Sequence, residues 1–278
     1  MKKQHTPVFF EEAVEALDIQ IGEKYIDATY GEGGHSRKII ASGGVLLAID
    51  VDSAQVKKSD DNIHVVHGNF SDIESIAQNQ DFTPVSGVLF DFGLSMAQIR
   101  EGGKGLSFEK PLETLDMRLG DGISVAEYLE AVDHQSLTHA LMKYSEDINS
   151  PQIANKIIQS RSSKKVQTVQ DLKEIIDSVV HADMTTQKKS YARIFQALRI
   201  IVNDELEHIK KALQGAVNIV RPGGIIVVIT FHSLEDRIVK SFARNNKNAV
   251  TEKVVDVGKM RTLASFERSA TLRVLKKI

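Results

Sequence analysis

Along the first hundred residues, short apolar runs rich in β-branched side chains alternate with stretches whose apolar positions recur every three or four residues. Lys24–Ala28, Val45–Asp50, Ile63–His67 and Val85–Asp91 read as strands, with room for a crossover helix after each of the first three. This rhythm predicts βαβ units and a parallel sheet whose strand carboxyl ends share one edge, the edge at which open α/β sheets bind ligands. After Glu101 the pattern changes. A glycine-rich loop through Gly102, Gly103 and Gly105 leads into helical spacing from Ser124 to about His181, where Leu129, Leu137, Leu141, Ile153, Ile157, Ile158, Leu172, Ile175 and Ile176 supply apolar stripes without a strand signal. One long helical pattern then runs from Tyr191 to about Val220 and stops at Arg221-Pro222-Gly223-Gly224. Ile225–Thr230 follows as a buried strand, and Thr271–Ile278 alternates as a terminal strand paired with Val250–Val257. The expected architecture is an α/β sheet interrupted by a helical insert.

Composition narrows the picture. A chain of 278 residues with 42% hydrophobic and 26% charged residues is an ordinary globular one, long enough to bury a core without staples. It has no cysteine, which excludes disulfides, thiolate zinc sites and cysteine nucleophiles and suits a reducing compartment. Lys2 and Lys3 are followed by Glu11 and Glu12 before any signal-like apolar stretch, and the longest apolar runs, such as Ile225–Ile229, are strand-sized. The expectation is a cytoplasmic protein with no membrane span. Thirty-five basic against 37 acidic residues give a net charge of −2, so a nucleic-acid partner must be held by a local patch. Lys156, Arg161, Lys164, Lys165, Lys188, Lys189, Arg193 and Arg199 are the candidates for phosphate contacts, although solvated helix faces look the same.

The strand ends carry the chemistry. Tyr25-Ile26-Asp27-Ala28-Thr29-Tyr30-Gly31-Glu32-Gly33-Gly34-His35-Ser36 is a strand entering a glycine turn that opens a helix. A dinucleotide fingerprint wants glycine where Ser36 stands, so the match to a nicotinamide cofactor is poor. An acid ending the strand followed by Gly31 and Gly33 instead fits an adenosylmethionine turn, with Thr29 in place of the first glycine. Asp50 ends the second strand and suits two ribose hydroxyls, or else a helix cap, for which Asp52 is also available. Phe70 follows the third strand and could cover an adenine face or belong to the core. His64 and His67 point to opposite faces, so no metal is expected. Asp91 ends the fourth strand, where an acid can accept a hydrogen bond from an amine that must become nucleophilic. In Thr230-Phe231-His232-Ser233-Leu234-Glu235-Asp236-Arg237, Ser233 with Asp236 reads as a helix cap, leaving His232 as a proton acceptor, a base contact or a structural group. Ser95 and Ser233 lack a nucleophile-elbow context, which counts against a hydrolase.

These residues resemble the ribosomal RNA small subunit methyltransferase H family. The resemblance runs through His5-Thr6-Pro7-Val8, Asp27–Ser36, Asp91–Gln98, Gly105-Leu106-Ser107-Phe108, Leu115-Asp116-Met117-Arg118, Phe195-Gln196-Ala197-Leu198-Arg199-Ile200, Asn203-Asp204-Glu205-Leu206, Phe231–Lys240 and Arg268-Ser269-Ala270. It implies a Rossmann-like methyltransferase sheet (residues 1–101 and 198–278) with an inserted all-helical, rRNA-recognising domain (102–197). It also implies S-adenosyl-L-methionine as cofactor, held by Gly33, Gly34, His35, Asp50, Phe70, Asp91 and Gln98. The implied reaction is methylation of N4 of a decoding-region cytidine, conventional position 1402, in 16S rRNA of the small ribosomal subunit. Asp91 and His232 are the catalytic candidates, and Lys156, Arg161, Lys164, Lys165, Arg193 and Arg199 the substrate-binding ones. Met96-Ala97, Lys104, Glu113-Thr114, Ser145 and Ser265-Phe266-Glu267 depart from the family pattern. Methylation of another RNA, DNA or protein amine, or a non-catalytic ribosome-binding factor with the same fold, are the alternatives.

Overall fold

The computed structural model describes residues 7–60, 62–101, 103–246, 250–255 and 269–278. Expectations placed on Lys2, Lys3, His5, Thr6, Gly102, Asp256, Val257, Ser265, Phe266, Glu267 and Arg268 lie outside them. The chain divides into two compact units, Met1–Ser95 with Leu206–Ile278, and Met96–Glu205.

In the first unit, β1 (Lys24–Asp27), β2 (Val45–Asp50), β3 (His64–His67), β4 (Val85–Asp91), β5 (Val220–Thr230), β6 (Val250–Val255) and β7 (Thr271–Lys277) form one seven-stranded sheet in the order β3-β2-β1-β4-β5-β7-β6. The first five pair in parallel, and β7 runs antiparallel to both β5 and β6. Helices α1 (Phe10–Leu17), α2 (Gly34–Ala41), α3 (Ser53–Lys57) and α4 (Ile73–Asn79) precede or connect the early strands. Because the central strands are covered on both faces, they are apolar nearly throughout rather than alternating. In β4 every residue from Val85 to Phe90 is buried and only Asp91, at the carboxyl end, is partly exposed. Alternate residues feed two cores: Ile26, Val88, Phe90, Ile226 and Val228 pack on one side, Tyr25, Leu89, Val227 and Ile229 on the other.

Two departures from the expected elements have local causes. The helical run expected from Tyr191 to Val220 is two helices, α10 (Met184–Asn203) and α11 (Glu205–Ile219), because Asp204 turns left-handed at φ 47° and stops the first. Strand β5 starts at Val220, earlier than the Arg-Pro-Gly-Gly stop suggests. Val85 pairs with Val220 and Gly87 with Ile225, so the extra residues loop out as a bulge. Gly224 is packed so closely on the Ser86 carbonyl that a Cβ would lie 2.7 Å from its oxygen.

The second unit contains α5 (Met96–Glu101), α6 (Val125–Ala131), α7 (His134–Ser145), α8 (Ser150–Ser160), α9 (Val169–Asp177) and α10, around its own core of Leu129, Leu137, Leu141, Ile153, Ile157, Leu172, Ile176, Ile194 and Leu198. Capping boxes start two of these helices, Ser124 with Glu127 for α6 and Thr168 with Asp171 for α9. Asn203, at the end of α10, fixes the loop before α6: its Oδ1 accepts the Leu119 N–H at 2.8 Å, and its Nδ2 donates to the carbonyls of Met117 and Arg199, both at 2.9 Å. Met117 is held at φ 57°, a strained value for a non-glycine residue. Asn203→Ala is therefore expected to lower the stability of this unit by about 1–3 kcal/mol, measured by thermal unfolding, since the Leu119 N–H and the Met117 carbonyl lose their partner and the strained loop loses its restraint. An unchanged transition temperature would show the loop to be self-supporting.

Candidate functional site

At the carboxyl edge of the first unit, three adjacent parallel strands each end in an acid: Asp50 on β2, Asp27 on β1 and Asp91 on β4. The turn after β1 brings backbone to them. Gly31 and Gly33 take positive φ, 54° and 74°, and Gly33 precedes the first residue of α2. A Cβ on Gly33 would lie 2.7 Å from the Tyr30 hydroxyl and 2.9 Å from Arg37 Nη1, and one on Gly34 would lie 2.4 Å from Pro7. These positions have no room for a side chain.

Asp50 is buried and bonded through both oxygens. Oδ2 accepts the Gly31 N–H at 2.7 Å and Oδ1 the Asp52 N–H at 2.8 Å. It ties the end of β2 to the glycine turn, while Asp52 takes the capping task on α3 by accepting the Ala54 N–H. Two lone-pair positions on the Asp50 carboxylate remain for a diol. Burial pushes its carboxyl pKa up.

Asp27 is 1% exposed and accepts from the Ser36 hydroxyl at 2.6 Å and the Thr29 N–H at 3.2 Å. Thr29 Oγ1 in turn accepts the Asp91 N–H at 2.7 Å, so one residue links two strand ends. Asp91, its side chain 20% exposed, accepts the Gly93 N–H at 3.4 Å. Burial raises both carboxyl groups to about 7. His35, on α2, places Nδ1 3.9 Å from Asp91 Oδ2, and burial lowers its pKa to about 4, so the ring is neutral near pH 7. Among the described residues no lysine or arginine pairs with Asp27, Asp50 or Asp91.

Phe70 lies in a 3₁₀ turn (Phe70–Asp72) that follows β3, half-buried among Phe90, Phe92 and His208 with ring centroids 5.3–6.4 Å apart. It therefore serves the core and keeps part of its ring exposed. An edge with three uncompensated acids, a side-chain-free turn and a partly exposed aromatic suits a cationic purine nucleoside. S-Adenosylmethionine has this chemistry.

Beyond β5 the sequence expectation needs correction. His232, not Ser233, is the N-cap of α12 (Ser233–Asn245): its Nδ1 accepts the Glu235 N–H at 3.4 Å. Glu235, 1% exposed, answers by accepting the N–H groups of Phe231 at 2.7 Å and His232 at 3.3 Å, and its other oxygen lies 3.1 Å from His232 Nε2. A buried carboxylate reaching back three residues fixes the cap one position earlier than the serine would. Asp236 is drawn away by Arg273 on β7, which grips it with two bonds of 2.7 and 2.9 Å. With Nδ1 accepting a backbone proton and Nε2 buried 3.1 Å from Glu235 without a hydrogen-bond partner among the described residues, His232 shapes the end of β5.

Of the expected substrate-binding cations in the helical unit, Arg161 donates to the carbonyls of Leu129, Glu130 and Val132 at the end of α6, and Arg199 is bidentate with Glu205 at 2.8 and 3.0 Å. Arg161, through Nη1, and Arg199 thus brace the helices of this unit. Lys164 and Lys165 are about two-thirds exposed although paired with Asp171 and Glu130, and Arg193 is 52% exposed at 3.9 Å from Asp147. Lys156 is exposed on α8 with no partner among the described residues. Gln98 lies on α5 and belongs to this helical unit.

The departures at Lys104, Glu113 and Ser145 are absorbed locally. Lys104 donates to the Arg118 carbonyl at 3.0 Å, Glu113 accepts the Gly105 N–H at 2.9 Å, and Ser145 shares a 2.7 Å bond with Ser150 while accepting the Asp147 N–H. Motif alone does not reveal the bonds from Ser36 to Asp27 and from the Asp91 N–H to Thr29, the part Glu235 takes in the cap of α12, or the loop contacts of Asn203. The Asp27–Ser36 pair has a signal, an acid at a strand end and a hydroxyl in the first turn of the following helix.

The family model described as the MraW methylase family matches residues 2–278. Proteins named ribosomal RNA small subunit methyltransferase H are similar throughout: that of Dictyoglomus thermophilum is 36% identical, covering 97% of this chain and 95% of its own. The one from Dechloromonas aromatica is 38% identical over 88% of this chain and 82% of its own, and the one from Clostridium botulinum is 33% identical over the whole of both. With the strand-end acids and the glycine turn in place, the chain belongs to the MraW methylase family, and its cofactor is S-adenosylmethionine.

Proposed function

We propose that this protein transfers a methyl group to N4 of a cytidine in 16S rRNA, in the decoding region of the small ribosomal subunit, acting in the cytoplasm. The observation that carries the reading is the family match over residues 2–278, with relatives named for small-subunit rRNA methylation, joined to an acidic sheet edge that has no lysine or arginine partner among the described residues. S-Adenosylmethionine, when bound, supplies an activated methyl group on a positively charged sulfur. Gly33, Gly34, His35, Asp50 and Phe70 hold it.

The cytosine amine is a poor nucleophile because its lone pair is conjugated into the ring. Asp91, with carboxylate capacity beyond the Gly93 N–H, accepts an N–H of that amine and turns its lone pair toward the methyl group. Most of the barrier reduction comes from holding the two reactants in line and dry. No strong base is required, because the amine proton becomes acidic once the new bond forms. The base must be unpaired or flipped to reach the edge, at a cost of a few kcal/mol. Lys156, Lys164, Lys165 and Arg193 supply exposed charge for the phosphates, while Arg161 and Arg199 hold the helices that carry them.

The test is nuclease digestion and mass analysis of small-subunit rRNA from cells lacking the protein and from the same cells with it restored. The expected result is one methyl group missing from one cytidine base, and its return. An unchanged methylation pattern would overturn the assignment. Incubating purified subunits and free rRNA with labelled cofactor then separates an assembled substrate from naked RNA.

A further inference from the structure

Among the described residues, no lysine or arginine pairs with the acids at the sheet edge. Asp27 pairs in register with Leu89, so Asp91 stands two residues farther along the adjacent strand, about 7 Å on. Thr29 joins the two, donating its N–H to Asp27 and accepting from the Asp91 N–H. The groups facing them from the surrounding elements do not help. Asp50 on β2 and Glu235 on α12 are acids, His35 on α2 is neutral, His232 is engaged with Glu235, and Tyr30 has its hydroxyl near the Asp60 N–H. Arg37 is drawn off to Asp60 at 3.0 Å and to the Glu32 carbonyl.

We propose that Asp27 and Asp91 hold a proton in the free protein and release it when the sulfonium form of the cofactor binds, whereas the thioether product binds without releasing it. The strand-end acids thereby distinguish donor from spent product. This rests on the S-adenosylmethionine reading. The two forms differ by a methyl group and one positive charge on sulfur. A positive charge delivered to a dry pair of carboxyl groups favours their ionised state, and the proton passes to solvent, so the step balances as carboxylic acid plus cation giving carboxylate–cation pair plus H⁺. The raised pKa of each carboxyl, about 7, places the event near neutrality. When the charge has left with the methyl group, the edge takes its proton back and the product loses its electrostatic hold.

Linkage sets the size of the effect. Affinity for S-adenosylmethionine should rise up to about tenfold per pH unit between about pH 6 and 7 and level off above about pH 8, while affinity for S-adenosylhomocysteine stays flat. The experiment is calorimetric titration of the whole chain with each nucleoside at about pH 7, in phosphate and in Tris, whose different ionisation heats report the protons exchanged. Release of about half to one proton with S-adenosylmethionine and near zero with S-adenosylhomocysteine is expected. Equal release with both, or none with the donor, would overturn the proposal, and failure of either nucleoside to bind would instead refute the cofactor reading. Asp27→Asn should cut the release at least by half, which separates this edge from titration of the ligand's own amino group. Should that variant not fold, Ser36→Ala removes the donor that favours the charged form of Asp27. Its release should then grow and move to higher pH, and an unshifted profile would sink the idea.

Discussion

Asp91→Asn is expected to lower methyl transfer about a hundredfold while raising the thermal stability of the cofactor-free protein. The two effects have one origin. Asn keeps the shape of the residue and an oxygen for the Gly93 N–H but carries no charge. The lost charge weakens both the hold on the sulfonium and the hydrogen bond to the target amine, and charge-assisted bonds of this kind contribute about 1.5–3 kcal/mol each. A factor of ten corresponds to about 1.4 kcal/mol, so losing most of one such bond in the transition state gives the stated drop in turnover. In the free protein the same charge is a burden, because burial disfavours the ionised form and Asp27 repels it. Single-turnover transfer from labelled cofactor measures the first effect and calorimetric unfolding without ligand the second. A residue serving only the fold would lose stability on substitution. Full activity in the variant would remove Asp91 from the reaction.

How much of this can be read from the chain depends on the range of the interactions. The strand-end acids Asp27, Asp50 and Asp91 and the glycine turn are legible because they depend on local rules, an apolar run that stops at a carboxylate and a turn that must take positive φ. The break at Asp204 carries no Gly or Pro to announce it, and an aspartate in the left-handed region looks like any polar residue of a helix. The cap of α12 reads one residue late because serine is statistically the better cap, whereas the deciding fact is that Glu235 is buried and needs the Phe231 and His232 N–H groups. Arg161 and Arg199 look like free cations because their partners depend on packing: three carbonyls about thirty residues away for one, and a glutamate across the helix break for the other. Charge along a sequence identifies which residues could meet a phosphate. Which of them are still available is decided by tertiary structure.

Asp50→Asn carries the other large expected effect, about a hundredfold loss of S-adenosylmethionine affinity. The substitution is nearly isosteric, yet it is not conservative here. Both oxygens of Asp50 accept backbone N–H groups, from Gly31 and from Asp52. An amide offers one oxygen, so its NH₂ must face one of those donors in a nearly dry site, and that N–H loses its partner. If the amide oxygen stays with Asp52, the Gly31 N–H is abandoned and the turn through Gly33 is no longer held to β2. If it stays with Gly31, the entry to α3 loosens. In either orientation the remaining carboxylate capacity for a ribose diol is replaced by a weaker neutral acceptor. Two losses of about 1.5 kcal/mol each, one in the turn and one in the ligand contact, multiply to the stated factor. Titration calorimetry on the folded variant checks it, with far-ultraviolet circular dichroism confirming that the sheet persists. A dissociation constant within threefold of the parent would place the cofactor's ribose elsewhere.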